Sequence, residues 1–163
     1  MVTIATTHEP DSETRVALSP DTAKRFAGLG CTVKVQSGTG LKSRFSDADY
    51  EKAGATIVGS ADDALTGADI HVQVRRPDAE HVAKLSPDGV VAAIMDPFDG
   101  GAEIDALVSS GRALFSMEFI PRITRAQSMD VLSSQANLAG YKAVIDAASM
   151  FEMATPMMMT AAG

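Results

Sequence analysis

Two guanidinium groups, a primary amide, a carboxylate and several hydroxyls crowd into PRITRAQSMDVLSSQANLAGY, residues Pro121 to Tyr141. Polar residues at that density, between apolar segments, need a partner, whether backbone, water, another subunit or a ligand. Arg122 and Arg125 suit an anion, and Gln127 suits a carboxamide. Read as a helix at about 100° per residue, Gln127, Asp130, Ser133, Ser134, Asn137 and Tyr141 share one face. Met129, Leu132, Ala136, Ala139, Gly140, Ala143 and Ala147 form the opposite, mostly small-residue stripe, which permits close approach to a neighbour. Thr124 and Gln127 have capping-box spacing, which starts the helix near Arg125. The positive field of that helix end fits Asp130, or a bound anion or carboxamide. A plainer reading competes: Gln127 as a cap, Asp130 as a dipole partner and the arginines as solvated charges. Spacing alone leaves both open.

Elsewhere the chemistry is thin. His8, His71, His81 and Cys31 have no metal-ligand spacing. His71, inside a strand pattern, reads as a satisfied or edge histidine, and Cys31 as a small buried hydrophobe at a strand start. Asp96 and Asp99 flank Pro97-Phe98 in what reads as a surface turn, and Met157-Met158-Met159 reads as packing. Ser37-Gly38-Thr39-Gly40 is a turn without P-loop or G-x-G-x-x-G spacing.

The elements that must hold these residues alternate. Val2 to Thr6, Thr32 to Gln36, Ala55 to Val58, Asp69 to Val74, Gly89 to Met95 and Arg112 to Met117 read as strands. Between them run short helices, opened by Ser19-Pro20, Ser46, Ser60 and Asp78 and closed by glycines such as Gly30, Gly54 and Gly67. The last helix runs from near Arg125 to about Met153, before Pro156. With no hairpin dipeptides, the pattern predicts an α/β fold, a mainly parallel sheet flanked by helices, flavodoxin-like or Rossmann-like. Sites in such sheets lie at the carboxyl ends of strands. Arg15, Arg75, Asp96 and Arg122 lie in or near those loops.

The chain of 163 residues is 45% hydrophobic with a net charge of −7. That length buries a real core and makes one domain the natural count. The negative charge argues against nucleic acid or an anionic membrane as partner. One cysteine excludes an internal disulfide framework. No secretory signal pattern and no window of membrane-spanning hydrophobicity is present, so a soluble chain is expected.

The run Pro121-Arg-Ile-Thr-Arg-Ala-Gln-Ser-Met-Asp130, then Leu132-Ser-Ser-Gln135 and Leu138-Ala-Gly-Tyr141, closely resembles the nicotinamide nucleotide transhydrogenase family, in its NAD(H)-binding alpha subunit. Pro156-Met-Met-Met-Thr-Ala-Ala-Gly163 and Glu13-Thr-Arg-Val-Ala-Leu-Ser-Pro20 extend the resemblance over the whole chain. It implies an N-terminal α/β domain over 1–125, and over 126–163 a long linking helix toward a NAD-binding Rossmann domain. In the family the dinucleotide fingerprint follows a Thr-Ala-Ala-Gly like the one at Gly163. The expectation is therefore a first domain cut where the second begins, inactive alone. The resemblance further implies hydride transfer between NADH and NADP+, coupled to proton movement. Arg122, Ile123, Thr124 and Arg125 would form the loop at NAD(H), and Gln127, Asp130 and Ser133 would orient the dihydronicotinamide, with no acid–base catalyst. Implied partners are a second copy (homodimer), an NADP(H)-binding beta component and a membrane-embedded proton-translocating component. The place would be cytoplasmic, peripheral to the inner membrane.

Alanine dehydrogenases are related. They have an arginine where Arg15 stands, a lysine where Arg75 stands and a catalytic histidine near Met95–Asp96. Here the first is kept, the second is arginine and the histidine is absent, which disfavours amino-acid oxidation. His8 stands where relatives commonly have lysine. Two alternatives stay open: an alanine dehydrogenase, or a non-catalytic assembly domain.

Overall fold

Strand β1 (Thr3–Thr6) carries buried side chains on both of its faces, Ile4, Ala5 and Thr6 in succession. Such a strand belongs inside a parallel sheet covered by helices. In the computed structural model, which describes residues 1–99 and 101–153, that is its place. The other strands are β2 (Thr32–Gln36), β3 (Thr56–Val58), β4 (Ile70–Arg75), β5 (Val90–Ile94) and β6 (Ala113–Ser116). They lie in the order β3-β2-β1-β4-β5-β6, and each pairing is parallel. Helices α1 (Pro20–Gly28), α2 (Asp47–Lys52), α3 (Ala61–Leu65), α4 (Ala79–Ala83) and α5 (Gly101–Ser109) make the crossovers. The expected Rossmann-like parallel sheet is thus present, with its strand order reversing between β1 and β4. The reversal opens a crevice at the carboxyl ends of those two strands.

Local chemistry sets the helix starts. Ser19 Oγ accepts the Thr22 N–H at 3.3 Å with Pro20 as the first helical residue. Ser46 and Asp49 form a reciprocal capping box, and Ser60 Oγ accepts the Asp63 N–H at 3.1 Å. Gly30, at φ 84°, turns the chain out of α1 into β2.

The sheet is packed on both faces. Ala5, Leu65, Val82, Val91 and Leu107 fill one side, and Leu18, Val33, Val35 and Tyr50 the other. Each fully buried Leu or Val is worth roughly 1.5–3 kcal/mol relative to exposure. Tyr50 is fully buried, and its hydroxyl donates to the Leu18 carbonyl at 2.7 Å. Gly40 is required where it stands, because a Cβ there would lie 2.7 Å from the Phe45 carbonyl oxygen and from the Tyr50 ring.

Two expectations are corrected. His71 is neither satisfied nor at an edge: β4 lies between β1 and β5, and the ring is fully buried. Its Nε2 lies 3.3 Å from Thr7 Oγ1, while Nδ1 has no hydrogen-bond partner among the described residues. Burial, with the charge of His81, pulls its pKa down to about 4, so the imidazole is neutral at pH 7. Cys31 is only partly buried, because it precedes β2 in the turn after Gly30.

The chain divides into two compact units, Met1–Phe119 and a second that begins at Ile120. The second contains a 3-10 turn, Thr124–Met129, and a long helix, α6 (Val131–Met150). The helix stops at Met150 rather than near Met153, with Phe151 extended at its end. The sequence matches over Pro156–Gly163, and the Met157–Met159 run, lie outside the described residues.

Candidate functional site

The run from Arg122 to Ser133 folds differently from a single helix. Thr124–Met129 winds as a 3-10 turn whose first cap is Ile123, with no side-chain bond. The Thr124–Gln127 capping box does not form. Asp130 caps α6 instead: its Oδ1 accepts the Ser133 N–H at 2.9 Å, and its Oδ2 accepts the Ser133 hydroxyl at 2.6 Å. A carboxylate is the stronger acceptor for orphan N–H groups, so it outcompetes a threonine six residues earlier. The Ser133 hydroxyl, then its N–H, and last the Arg122 charge hold the Asp130 carboxyl below the usual carboxylate range.

This break changes the two predicted stripes. Gln127 sits in the 3-10 turn and not in register with α6. The small-residue stripe buries nothing; α6 has no buried side chain, and Leu138, Tyr141 and Val144 are exposed.

The seven predicted site residues nevertheless stay within one short segment. Arg122, Ile123, Thr124, Arg125, Gln127 and Ser133 are exposed and Asp130 is half-buried. Asp130 and Ser133 spend their polar atoms on each other. The Gln127 amide makes no hydrogen bond among the described residues, which leaves a donor and an acceptor for a ligand. The segment therefore offers two guanidinium groups, a hydroxyl and an unspent amide beside a rigidly capped helix start. That set can orient a neutral amide or an anion, and it contains no acid–base pair.

A second polar cluster lies at the crevice between β1 and β4, in the first unit. Glu13 is buried and accepts the Arg15 main-chain N–H at 3.0 Å, Arg15 Nε at 2.7 Å and Arg15 Nη2 at 2.6 Å. It also accepts Arg75 Nε at 2.9 Å. The Arg15 bonds dominate and hold its pKa down at about 2. The crevice arginines are thus matched internally by one carboxylate. Beside them an open cleft of about 410 Å3 is lined by Ser12, Arg75, Arg76, Asp78, Asp96 and Glu103. Arg76 donates to the Met95 carbonyl at 2.7 Å and pairs with Glu103. Asp96 stands at the end of β5 with φ 46°, and the Asp99 N–H closes the expected turn onto its carbonyl at 3.1 Å.

Two further carboxylates were not singled out by sequence. Glu9 accepts the Val74 N–H at 2.6 Å and the Arg75 N–H at 3.0 Å, at the end of β4. Burial raises its pKa, against the pull of those two bonds. Glu118 does the same at the end of β5: it accepts the Met95 N–H at 3.1 Å, the Asp96 N–H at 2.7 Å and the Ser116 hydroxyl at 2.6 Å. Burial would raise the Glu118 pKa, but the Ser116 hydroxyl and the main-chain N–H groups outweigh it and lower the value. Successive N–H groups at a strand end form an anion-binding concavity, and both are filled by the chain's own side chains. No spacing rule could have found them, since each pairs residues far apart in sequence. Among the described residues no cluster of three or more His, Cys, Asp or Glu could hold a metal ion.

The sequence profile described as "Alanine dehydrogenase/PNT, N-terminal domain" matches residues 6–139. An NAD(P) transhydrogenase alpha subunit from Rhodospirillum rubrum is 44% identical over 156 residues, covering 93% of this chain and 41% of that protein. The crystal structure of transhydrogenase from Sinorhizobium meliloti superposes with a TM-score of 0.86 at 50% identity, over 100% of this chain and 48% of that one. An L-alanine dehydrogenase structure superposes with a TM-score of 0.68 at 26% identity, over 73% of this chain and 33% of that one. The chain spans less than half the length of each of these relatives.

Proposed function

The chain belongs to the alanine dehydrogenase/PNT N-terminal domain family, and on that premise we propose that it is the first domain of the NAD(H)-binding alpha component of an NAD(P) transhydrogenase. In this reading residues 1–125 are the α/β domain, and 126–163 lead toward a NAD-binding Rossmann domain of the longer protein. The intact enzyme transfers hydride between NADH and NADP+, with NADP(H) held by a beta component. A membrane-embedded partner couples the transfer to proton movement. Among the described residues no helix is long and apolar enough to cross a membrane. The reading accordingly assigns the crossing to partner subunits and places this domain at the cytoplasmic face, as one half of a homodimer.

The observation that carries the proposal is the unspent Gln127 amide in an exposed segment with Arg122 and Arg125. These residues fit a nicotinamide: a primary amide matches a carboxamide edge, and guanidinium groups match phosphate or ribose oxygens. When bound, the dihydronicotinamide supplies the hydride; the protein supplies position. Gln127 orients the ring, Arg122 and Arg125 hold the charged part, and Asp130 with Ser133 keeps the helix start rigid. No histidine stands at the end of β5, where Asp96 lies instead. Glu13 already engages Arg15 and Arg75. Amino-acid oxidation gains no support from this arrangement.

Gln127→Asn tests the proposal in the full-length protein reconstituted with its NADP(H)-binding partner. The shorter amide misplaces the ring, and hydride transfer in a single turnover falls at least about tenfold, or 1.4 kcal/mol. NADH affinity changes far less. An unchanged transfer rate removes Gln127, and with it this segment, from the cofactor site.

A further inference from the structure

We propose that Glu118 is a positioning residue for the Arg122–Arg125 segment: its carboxylate clips the end of β5 and so sets the point from which the chain departs toward Arg122. The inference rests on the cofactor role assigned above to that segment.

Three observations support it. First, the Glu118 carboxylate uses both oxygens on successive main-chain N–H groups, Oε2 on Met95 at 3.1 Å and Oε1 on Asp96 at 2.7 Å. The Ser116 hydroxyl adds a third bond at 2.6 Å. Only a carboxylate accepts at both oxygens; a glutamine would turn an NH2 toward one of the N–H groups. Second, the next residue makes a separate tie. Phe119 meets Phe98 edge-to-face, with centroids 5.8 Å apart and planes at 84°. Both rings are otherwise exposed. Residues 95–98 and 116–119 are therefore laced together by polar and aromatic contacts of different kinds. Third, only Phe119, Ile120 and Pro121 separate Glu118 from Arg122. Pro121 has a fixed φ, and Ile120 before it is confined to extended backbone. The Ile123 N–H then bonds the Pro121 carbonyl at 2.9 Å, and the Ala126 N–H bonds the Ile123 carbonyl at 2.9 Å. A displacement at Glu118 thus has few soft torsions in which to dissipate before it reaches Arg122.

Glu9 provides an internal comparison. It makes the same two-oxygen clip on Val74 and Arg75 at the end of β4, but no cofactor-site residue follows it closely in the chain. Glu118→Gln and Glu9→Gln are both expected to lower the melting temperature, and only Glu118→Gln is expected to disturb the site.

The test has two readouts. In the reconstituted full-length protein, Glu118→Gln lowers kcat for hydride transfer by about fivefold or more, since small misplacements cost rate steeply. KM for NADH stays within about twofold, and Glu9→Gln keeps both constants within about twofold of wild type. In the 163-residue chain, Glu118→Gln speeds amide exchange at Ile123 and Ala126 by about tenfold, and Glu9→Gln leaves those amides unchanged. Wild-type kcat in Glu118→Gln overturns the proposal, as does an equal kcat loss in Glu9→Gln. Unaltered exchange at Ile123 and Ala126 overturns it whatever the activity. If the wild-type protein transfers no hydride while the exchange result holds, the cofactor reading fails and the Glu118 clip stands as the device that positions this segment.

Discussion

Replacing Glu13 by glutamine should cost stability in a way that depends on pH. The carboxylate is buried and takes four N–H donors from Arg15 and Arg75, and its pKa falls from 4.5 to about 2. At about 1.36 kcal/mol per unit that shift corresponds to roughly 3.4 kcal/mol as an upper bound. The Arg15 and Arg75 side chains are 36% and 48% exposed, so solvent screens part of the attraction and about 2 kcal/mol is the expected cost. Glutamine keeps one acceptor but loses the charge. For a chain of this size the melting temperature should drop by roughly 4–8 °C at pH 7. The sign with pH follows from the depressed value. The carboxylate's contribution is complete above the unfolded-state pKa and fades as pH falls from about 4.5 toward about 2. Wild type and Glu13→Gln should therefore differ most at pH 6–7 and converge near pH 2–3. Urea unfolding of both proteins across this range is the assay, with the near-ultraviolet signal of buried Tyr50 reporting on the first unit. A stability difference that stays constant with pH, or is smaller than about 0.5 kcal/mol at pH 7, would refute the role of ion pairing at Glu13.

Asp130→Ala should fray the first turn of α6, with a loss of roughly three to four helical residues by circular dichroism. Thr124→Ala should leave helicity unchanged, and the opposite ranking would restore the capping box at Thr124. Tyr50→Phe should destabilise the chain by about 1–2 kcal/mol in urea unfolding, because the Leu18 carbonyl would be left without its buried 2.7 Å donor.

The parallel sheet and its crossovers were legible because their signals are local. A serine cap and its N–H lie three residues apart, as at Ser19, Ser46 and Ser60. Strand runs such as Val90–Ile94 carry their apolar pattern within five residues. The proposed cofactor segment was likewise confined to one continuous run, so its candidates could be named without knowing the fold. Tertiary structure decided the rest. Glu9 reaches Val74 across 65 positions and Glu118 reaches Met95 across 23, distances that only the strand order β1-β4-β5-β6 makes short. Glu13 joins Arg75 for the same reason. The helix start moved from Arg125 to Val131 because two nearby caps competed, and spacing rules do not rank a carboxylate against a hydroxyl. His71 was placed correctly in a strand, but whether that strand lay inside the sheet or at its edge depended on β4 pairing with both β1 and β5. Short-range hydrogen bonds are encoded by neighbours in sequence, whereas a buried charge finds its partners only after parallel strands have been brought side by side.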